Sequence, residues 1–335
     1  GVGMETAIEL LKRGATVCLT SRSVKGCHQA VDRVFARAFS GQQPWDTPAL
    51  ACIPLELSDF SSVKTFVNGF RNEYARLDML VLNAGHIVPK PGHTKEGLEI
   101  GLGGMHVGHQ YLTVLLGDLL LAPNKEPARV VTVSSFIHFL GRIDESLLHG
   151  KGEGDLRGEI TMGGEVANFG FGNSYVRAKL LNLLSGLALP AKLGASALPC
   201  AHQNCERVRG LQRKGPPRQV LSFVIGLGTV QTQLLNSFKV FRRFVHPMMR
   251  CAERGAIPIV NLLVKSASEL SLNKLNTSRG IYVNAQGTLV AEWPGSTWRG
   301  TPTELLAERV WHVTQRLIEE GHGVNATSRL AQRKQ

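Results

Sequence analysis

The sequence predicts an α/β fold built on a doubly wound parallel sheet, and three observations predict it. Short apolar runs alternate with helical stretches along nearly the whole chain, and strands joined by helical crossovers lie parallel. Several of those runs, such as Met79 to Leu82, are continuously apolar, as strands covered on both faces must be. Finally, 335 residues at 43% hydrophobic and 19% charged suffice for one large core.

The elements follow in order. A helix enters through Gly1-Val2-Gly3, carries Ile8 and Leu11 at helical spacing and closes at Gly14. Ala15 to Thr20 reads as a buried strand, Ser23 to Ala38 as helix and Ala49 to Leu55 as strand. Asp59 caps a helix whose Val63, Phe66, Val67 and Phe70 fall at i, i+3, i+4 and i+7. Met79 to Leu82 is a third strand, Thr94 to Leu121 a long helix and Arg129 to Ser134 a fourth strand. A helix bearing Tyr175 to Leu189, a strand Val220 to Ile225, helical stretches to about Leu263, a strand Gly280 to Val283 and a helix Thr303 to Glu320 complete the alternation. One domain over residues 1–330 accommodates all of it. The segment 190–219 does not fit: it contains Pro190, Pro199, Pro216 and Pro217 without periodicity, where such links take about 2–6 residues. It is expected as an irregular insertion outside the core.

Composition excludes collagen-like, coiled-coil and wholly disordered chains. The most apolar stretch, Leu180 to Leu198, is broken by Asn182, Pro190 and Lys192, so no bilayer span is expected. Lys+Arg 38 against Asp+Glu 26 gives a net charge of +12, but much of the excess sits in 190–219 with no recognition motif, which argues against nucleic acid. Six cysteines in so long a chain (Cys18, Cys27, Cys52, Cys200, Cys205, Cys251) read as reduced thiols of a cytoplasmic protein, or of one on the cytoplasmic face of a membrane. Cys200, His202 and Cys205 lack a fourth ligand at finger spacing, so no metal site is expected. The chain opens at Gly1 inside a helix start, as a fragment would, with any targeting segment out of view.

A helix entered through close glycines, here Gly1 and Gly3, aims backbone N–H groups and a positive dipole end at a phosphate. In a nucleotide-binding unit of this kind the end of the next strand reads the adenosine ribose, with an acid for a free hydroxyl and a cation for a 2′-phosphate. This chain has Ser21-Arg22 there, which favours NADP(H) over NAD(H). Asn83-Ala84-Gly85 and Ser134-Ser135 both end strands at the carboxyl edge, where such sheets bind ligands. Tyr175-Val176-Arg177-Ala178-Lys179 puts a phenol and an ammonium at i and i+4 on one helix face, where the cation is expected to lower the phenol's pKa.

Glycine-rich helix start, Asn-Ala-Gly, strand-terminal serine and Tyr-x-x-x-Lys, in that order, resemble the short-chain dehydrogenase/reductase superfamily with its Rossmann-like sheet. Glu5-Thr6-Ala7, Val133-Ser134-Ser135 and His106-Val107-Gly108-His109 look most like its retinol-dehydrogenase-like branch. The resemblance implies an oxidoreductase that interconverts a lipophilic alcohol (retinoid, steroid or long-chain) and its aldehyde or ketone. It implies Tyr175 as general acid/base, Ser135 on the substrate oxygen and Lys179 on the nicotinamide ribose. Gly1, Gly3, Ser21, Arg22, Glu56, Asn83, Ala84, Gly85 and Thr232 would line the cofactor.

Three departures stand out against that pattern. The family's first strand would lie before Gly1, leaving two neighbouring strands with an unpaired edge. Its long-helix asparagine, part of a proton relay, falls on Met105, whose thioether cannot donate a hydrogen bond. Its Pro-Gly before the threonine contact appears as Leu227-Gly228. These motivate the alternative of a catalytically impaired nucleotide- or partner-binding protein. Residues 238–250 interleave aromatics with cations, as a substrate lid or a membrane-surface contact would.

Overall fold

The computed structural model describes residues 1–39, 49–86, 92–141, 173–195, 218–228, 230, 249–290, 297–298 and 301–332. Its elements run α1 (Val2–Lys12), β1 (Val17–Ser21), α2 (Val24–Phe39), β2 (Leu50–Pro54), α3 (Phe60–Glu73) and β3 (Met79–Leu82). Next come α4 (Ile100–Leu102), a π-turn (Gly103–Val107), α5 (Gly108–Leu115), α6 (Gly117–Leu120), β4 (Ala128–Ser135) and a 3-10 helix (Phe136–Leu140). The remainder is α7 (Asn173–Ala195), β5 (Val220–Leu227), α8 (Ala252–Val264), β6 (Ile281–Val283), β7 (Leu289–Val290), the short pair β8 (Thr297–Trp298) and β9 (Thr301–Pro302), and α9 (Thr303–Gln332).

The parallel, doubly wound arrangement is present. β3, β4, β5 and β6 lie side by side in parallel, with β7 added antiparallel at the edge. Side chains alternate between two cores, one on each face. Val130, Val224 and Tyr282 join α3, α5, α7 and α9 on one side; Val131, Val133, Phe223, Ile225 and Val283 join α1, α2 and α8 on the other. β1 pairs in parallel with β2, and among the described residues this pair is not hydrogen-bonded to β3.

Four expectations need correction. The long helix does not begin at Thr94: Glu99 accepts from the N–H groups of Gly101 and Leu102 and starts the helix at Ile100, and a π-turn and a break at Leu116 divide the rest. The insertion does not start at Pro190, because α7 continues to Ala195 with Leu193 in the core. Pro190 is tolerated because the carbonyl its missing N–H would have bonded, that of Gly186, accepts the Ser222 hydroxyl at 2.7 Å instead. Arg218, at the other end of 190–219, is buried and ties β5 to the neighbouring β3–α6 region through the Leu120 and Leu77 carbonyls and Asp78. It spends its charge inside. Residues 196–217 lie outside the described residues. Finally, Cys27 and Cys52 are joined by a disulfide between α2 and β2, while Cys18 and Cys251 are free thiols. Parallel pairing sets Cys52 beside Leu19 and the first turn of α2 brings Cys27 over it, a proximity that the 25-residue separation does not reveal.

Candidate active site

The site is assembled at the carboxyl ends of β3 and β4. Ser134, buried, donates its hydroxyl to the Lys179 carbonyl at 2.7 Å, fastening α7 across the end of β4. Ser174 donates to Glu99 at 2.7 Å, tying the start of the same helix to the start of α4. These bonds fix the rotation of α7, so its Tyr175–Lys179 face meets the strand end. Ser135 then stands close enough to the Tyr175 phenol for its hydroxyl to ease the phenol's pKa downward. Lys179 is buried, donates from Nζ to the Val133 carbonyl at 2.8 Å and lies 5.5 Å from the centre of the Tyr175 ring.

Electrostatics here depart from expectation. Burial pushes the Tyr175 phenol up to about 12, opposed only by the nearby Ser135 hydroxyl, and burial pulls the Lys179 ammonium down to about 8. Lys179 was expected to make the phenol more acidic. It does not in this geometry, because its Nζ is engaged by the Val133 carbonyl and stands over the ring rather than at the hydroxyl. Desolvation therefore wins at both groups. Near neutral pH the pair is a protonated phenol beside an ammonium.

Two glycines shape the rest of the cleft. A Cβ on Gly85 would come within 3.3 Å of Lys179 Nζ and 3.7 Å of Met105 Sδ. A Cβ on Gly3 would come within 2.6 Å of Asn83 Nδ2, so the first turn of α1 and the end of β3 close on each other only because residue 3 is glycine. The N-cap of α1 is Gly1, which has no side chain to satisfy the first-turn N–H groups; they are presented as an anion would need them. Ala84 and Gly85 are exposed along the cleft.

The structure brings Ser135, Tyr175, Lys179 and Gly85 together, and places Gly3 against Asn83. At the end of β1, Ser21 packs on Gly26 while Arg22 is exposed. Glu56 is half-buried and accepts from Ser58 N at 3.0 Å and Ser58 Oγ at 2.7 Å, which holds its loop against α5, where a Cβ on Gly108 would overlap the Leu57 carbonyl. Thr232 and residues 231–248 lie outside the described residues; of the aromatic–cationic stretch only Met249 and Arg250 are described, the latter bound to the Ala285 carbonyl. Among the described residues no group of His, Cys, Asp and Glu could hold a metal ion, and no helix is long and apolar enough to cross a membrane.

Sequence reading passed over a polar cluster behind Lys179. Asn182 donates from Nδ2 to the Met105 carbonyl at 2.9 Å, and its Oδ1 lies 3.0 Å from His106 Nδ1. His106 Nε2 lies 2.9 Å from the Thr314 hydroxyl. With Asn182 donating to Met105, its Oδ1 accepts from His106 Nδ1, while Nε2 faces the Thr314 hydroxyl, which also donates to the Val310 carbonyl at 2.8 Å. Burial pulls His106 down to about 4 and His109 to about 3. Continuing the Tyr175 face of the helix through 179 to 182 would have found Asn182.

Known proteins match this chain along that architecture. A family model described as short chain dehydrogenase matches residues 1–146. Human "Retinol dehydrogenase 11" is 28% identical over 95% of this chain and 82% of its own length. Bovine "Retinol dehydrogenase 12" is 35% identical over 58% of this chain, a match that spans 54% of that relative. A solved Mycobacterium paratuberculosis protein titled putative and uncharacterized superimposes with a TM-score of 0.59 at 23% identity, covering 95% of this chain and 89% of its own.

Proposed function

We propose that this chain, whose residues 1–146 match the short chain dehydrogenase family model and which is similar to retinol dehydrogenases, is an NADP(H)-dependent oxidoreductase of the short-chain dehydrogenase/reductase superfamily. Its substrate pair is a lipophilic alcohol of retinoid, steroid or long-chain type and the corresponding aldehyde or ketone. The observation that carries this reading is Ser135 close to the Tyr175 phenol beside a buried Lys179 at the carboxyl edge of β4.

The cleft fits a dinucleotide. Gly1 and Gly3 leave the start of α1 open for the pyrophosphate; Asn83, Ala84 and Gly85 offer a wall without bulk; Ser21, Glu56 and Thr232 complete the cofactor-lining set. Arg22, exposed at the end of β1, would take the 2′-phosphate in a forked contact that a ribose hydroxyl cannot offer. When bound, the nicotinamide supplies the hydride that adds to the carbonyl carbon. The protein supplies the proton. With its phenol held protonated by burial, Tyr175 donates from Oη to the substrate oxygen as charge develops there, and Ser135 steadies that oxygen with a second hydrogen bond. Lys179 would hold the nicotinamide ribose.

Met105 against Gly85 and Lys179 motivates a second reading, a protein that binds NADPH without turning over. Steady-state assays with retinal, a steroid ketone and a long-chain aldehyde, each with NADPH and with NADH, separate the two. The first reading expects NADPH oxidation with at least one substrate. NADPH binding without oxidation of any of them overturns it.

A further inference from the structure

The helix α2 is fastened at two places. Of its sixteen residues only Cys27 and Val34 are buried. Val34 stands in the core with α1 and α8, and beside it the forked Arg37–Glu5 pair holds the far end of the helix. The near end has the Cys27–Cys52 disulfide. Cys52 lies opposite Leu19 in the parallel β1–β2 pair, so the bond clamps the first turns of α2 onto two strands that, among the described residues, are not hydrogen-bonded to β3.

That end of α2 also shapes the loop that follows β1. A Cβ on Gly26 would overlap the Ser21 hydroxyl, the Gly26 N–H donates to Ser23 Oγ at 3.1 Å, and the Cys27 N–H donates to the Ser23 carbonyl at 2.9 Å. Arg22 sits within this turn with its side chain exposed. The turn therefore sets where the Arg22 stem begins, and the disulfide holds the turn. A guanidinium on a preordered stem forks onto a phosphate at less conformational cost than one on a loosened loop.

We propose that Cys27–Cys52 is a site of thiol–disulfide exchange for a dithiol reductant, and that its oxidation state sets how strongly the protein prefers a 2′-phosphorylated cofactor. The inference rests on the NADP(H) reading of Arg22. Cys52 is half-buried and Cys27 buried, so a thiolate of the reductant attacks Cys52 Sγ, the protein's S–S bond breaks, and Cys27 leaves as a thiolate that takes a proton. The reductant's second thiol, losing its proton, displaces Cys52 and closes the reductant into its own disulfide. Two electrons and two protons pass to the protein. Cys18 stays out of the exchange: strand alternation turns it to the face opposite that of Leu19 and Cys52, and burial pushes its thiol up to about 11, leaving little thiolate.

The full chain is equilibrated with oxidised or with reduced dithiothreitol, its free thiols are counted, and NADPH and NADH dissociation constants are read from cofactor fluorescence. Reduction should free the two thiols of this disulfide. NADPH should then bind about tenfold more weakly, with NADH within about twofold of its oxidised-state value. A Cys200→Ser, Cys205→Ser double variant should respond as wild type does, which confines the effect to this pair. Cys52→Ala should bind NADPH as reduced wild type does in either buffer; where it does not fold, oxidised against reduced wild type decides alone. No gain of thiols, equal NADPH affinity in the two states, equal losses for NADPH and NADH, or a response that survives in Cys52→Ala overturns the exchange site and leaves the NADP(H) reading standing. A wild-type chain that binds neither cofactor, or prefers NADH in both states, overturns the reading and the exchange site together.

Discussion

β1 and β4 are both parallel strands that end at the site, yet they are held in different ways. β4 is paired on both edges and covered on both faces, so every residue from Ala128 to Ser134 is buried. Among the described residues β1 is paired only with β2, and of its five residues only Val17 is fully buried. The nucleotide half around β1 compensates with point attachments: the Cys27–Cys52 disulfide, the forked Arg37–Glu5 pair at 2.5 and 2.8 Å and the packing of α1 on α8. Catalytic groups therefore stand on a continuous core, while the groups that would choose the cofactor stand on a few local ties. Substitutions should sort accordingly, with global losses in one half and local ones in the other.

The largest effect is expected at Gly108, in the catalytic half. Gly108→Ala forces a Cβ into the Leu57 carbonyl, where backbone rather than a flexible side chain must give. A loss of about 4 kcal/mol or more, read as a fall in urea midpoint of the whole molecule, is the outcome. The next is Cys27→Ser, which opens the tie between α2 and β2 and should cost about 3 kcal/mol in the chain-entropy picture. Hydrogen exchange should rise across 17–54 with 128–135 unchanged. Equal acceleration in both would break the distinction between the halves.

Acid should act through the catalytic half. His106 and His109 have folded pKa values lowered to about 4 and about 3 from an ordinary 6.5, so below about pH 6.5 the unfolded chain binds protons the folded one refuses. Stability falls as pH drops through that window, by about 2 kcal/mol per histidine between pH 6.5 and 5. Urea unfolding at pH 7 and pH 5 measures it, and His106→Gln should be less stable at pH 7 but less sensitive to the change. Arg22→Glu is the mildest: NADPH affinity should fall about tenfold, NADH affinity should hold or rise, and the urea midpoint should not move.

Much of this was legible in the residues, for reasons that differ by element. α3 was readable because its apolar face and its cap, Asp59, are local signals, and the structure shows Asp59 accepting from Ser61 and Ser62 as a cap does. Tyr175, Lys179 and Ser135 could be paired because helical spacing and strand ends follow from periodicity. The extension of α7 through Pro190 could not, because it depends on Ser222, a residue on another strand, bonding the Gly186 carbonyl. Nor could the buried role of Arg218, which reads as one more cation in a basic stretch until the Leu77 and Leu120 carbonyls surround it. The acidity of Tyr175 was misjudged for a similar reason. Spacing tells that an ammonium is near, but the Val133 carbonyl that occupies it belongs to the tertiary structure.

The account depends on the Tyr175 Oη proton, and replacing Tyr175 with Phe while measuring both turnover and NADPH binding tests that dependence most directly. Turnover should fall by about 10²–10⁴-fold with the NADPH dissociation constant within about threefold of wild type. A Tyr175→Phe protein that reduces its carbonyl substrate at the wild-type rate would contradict it.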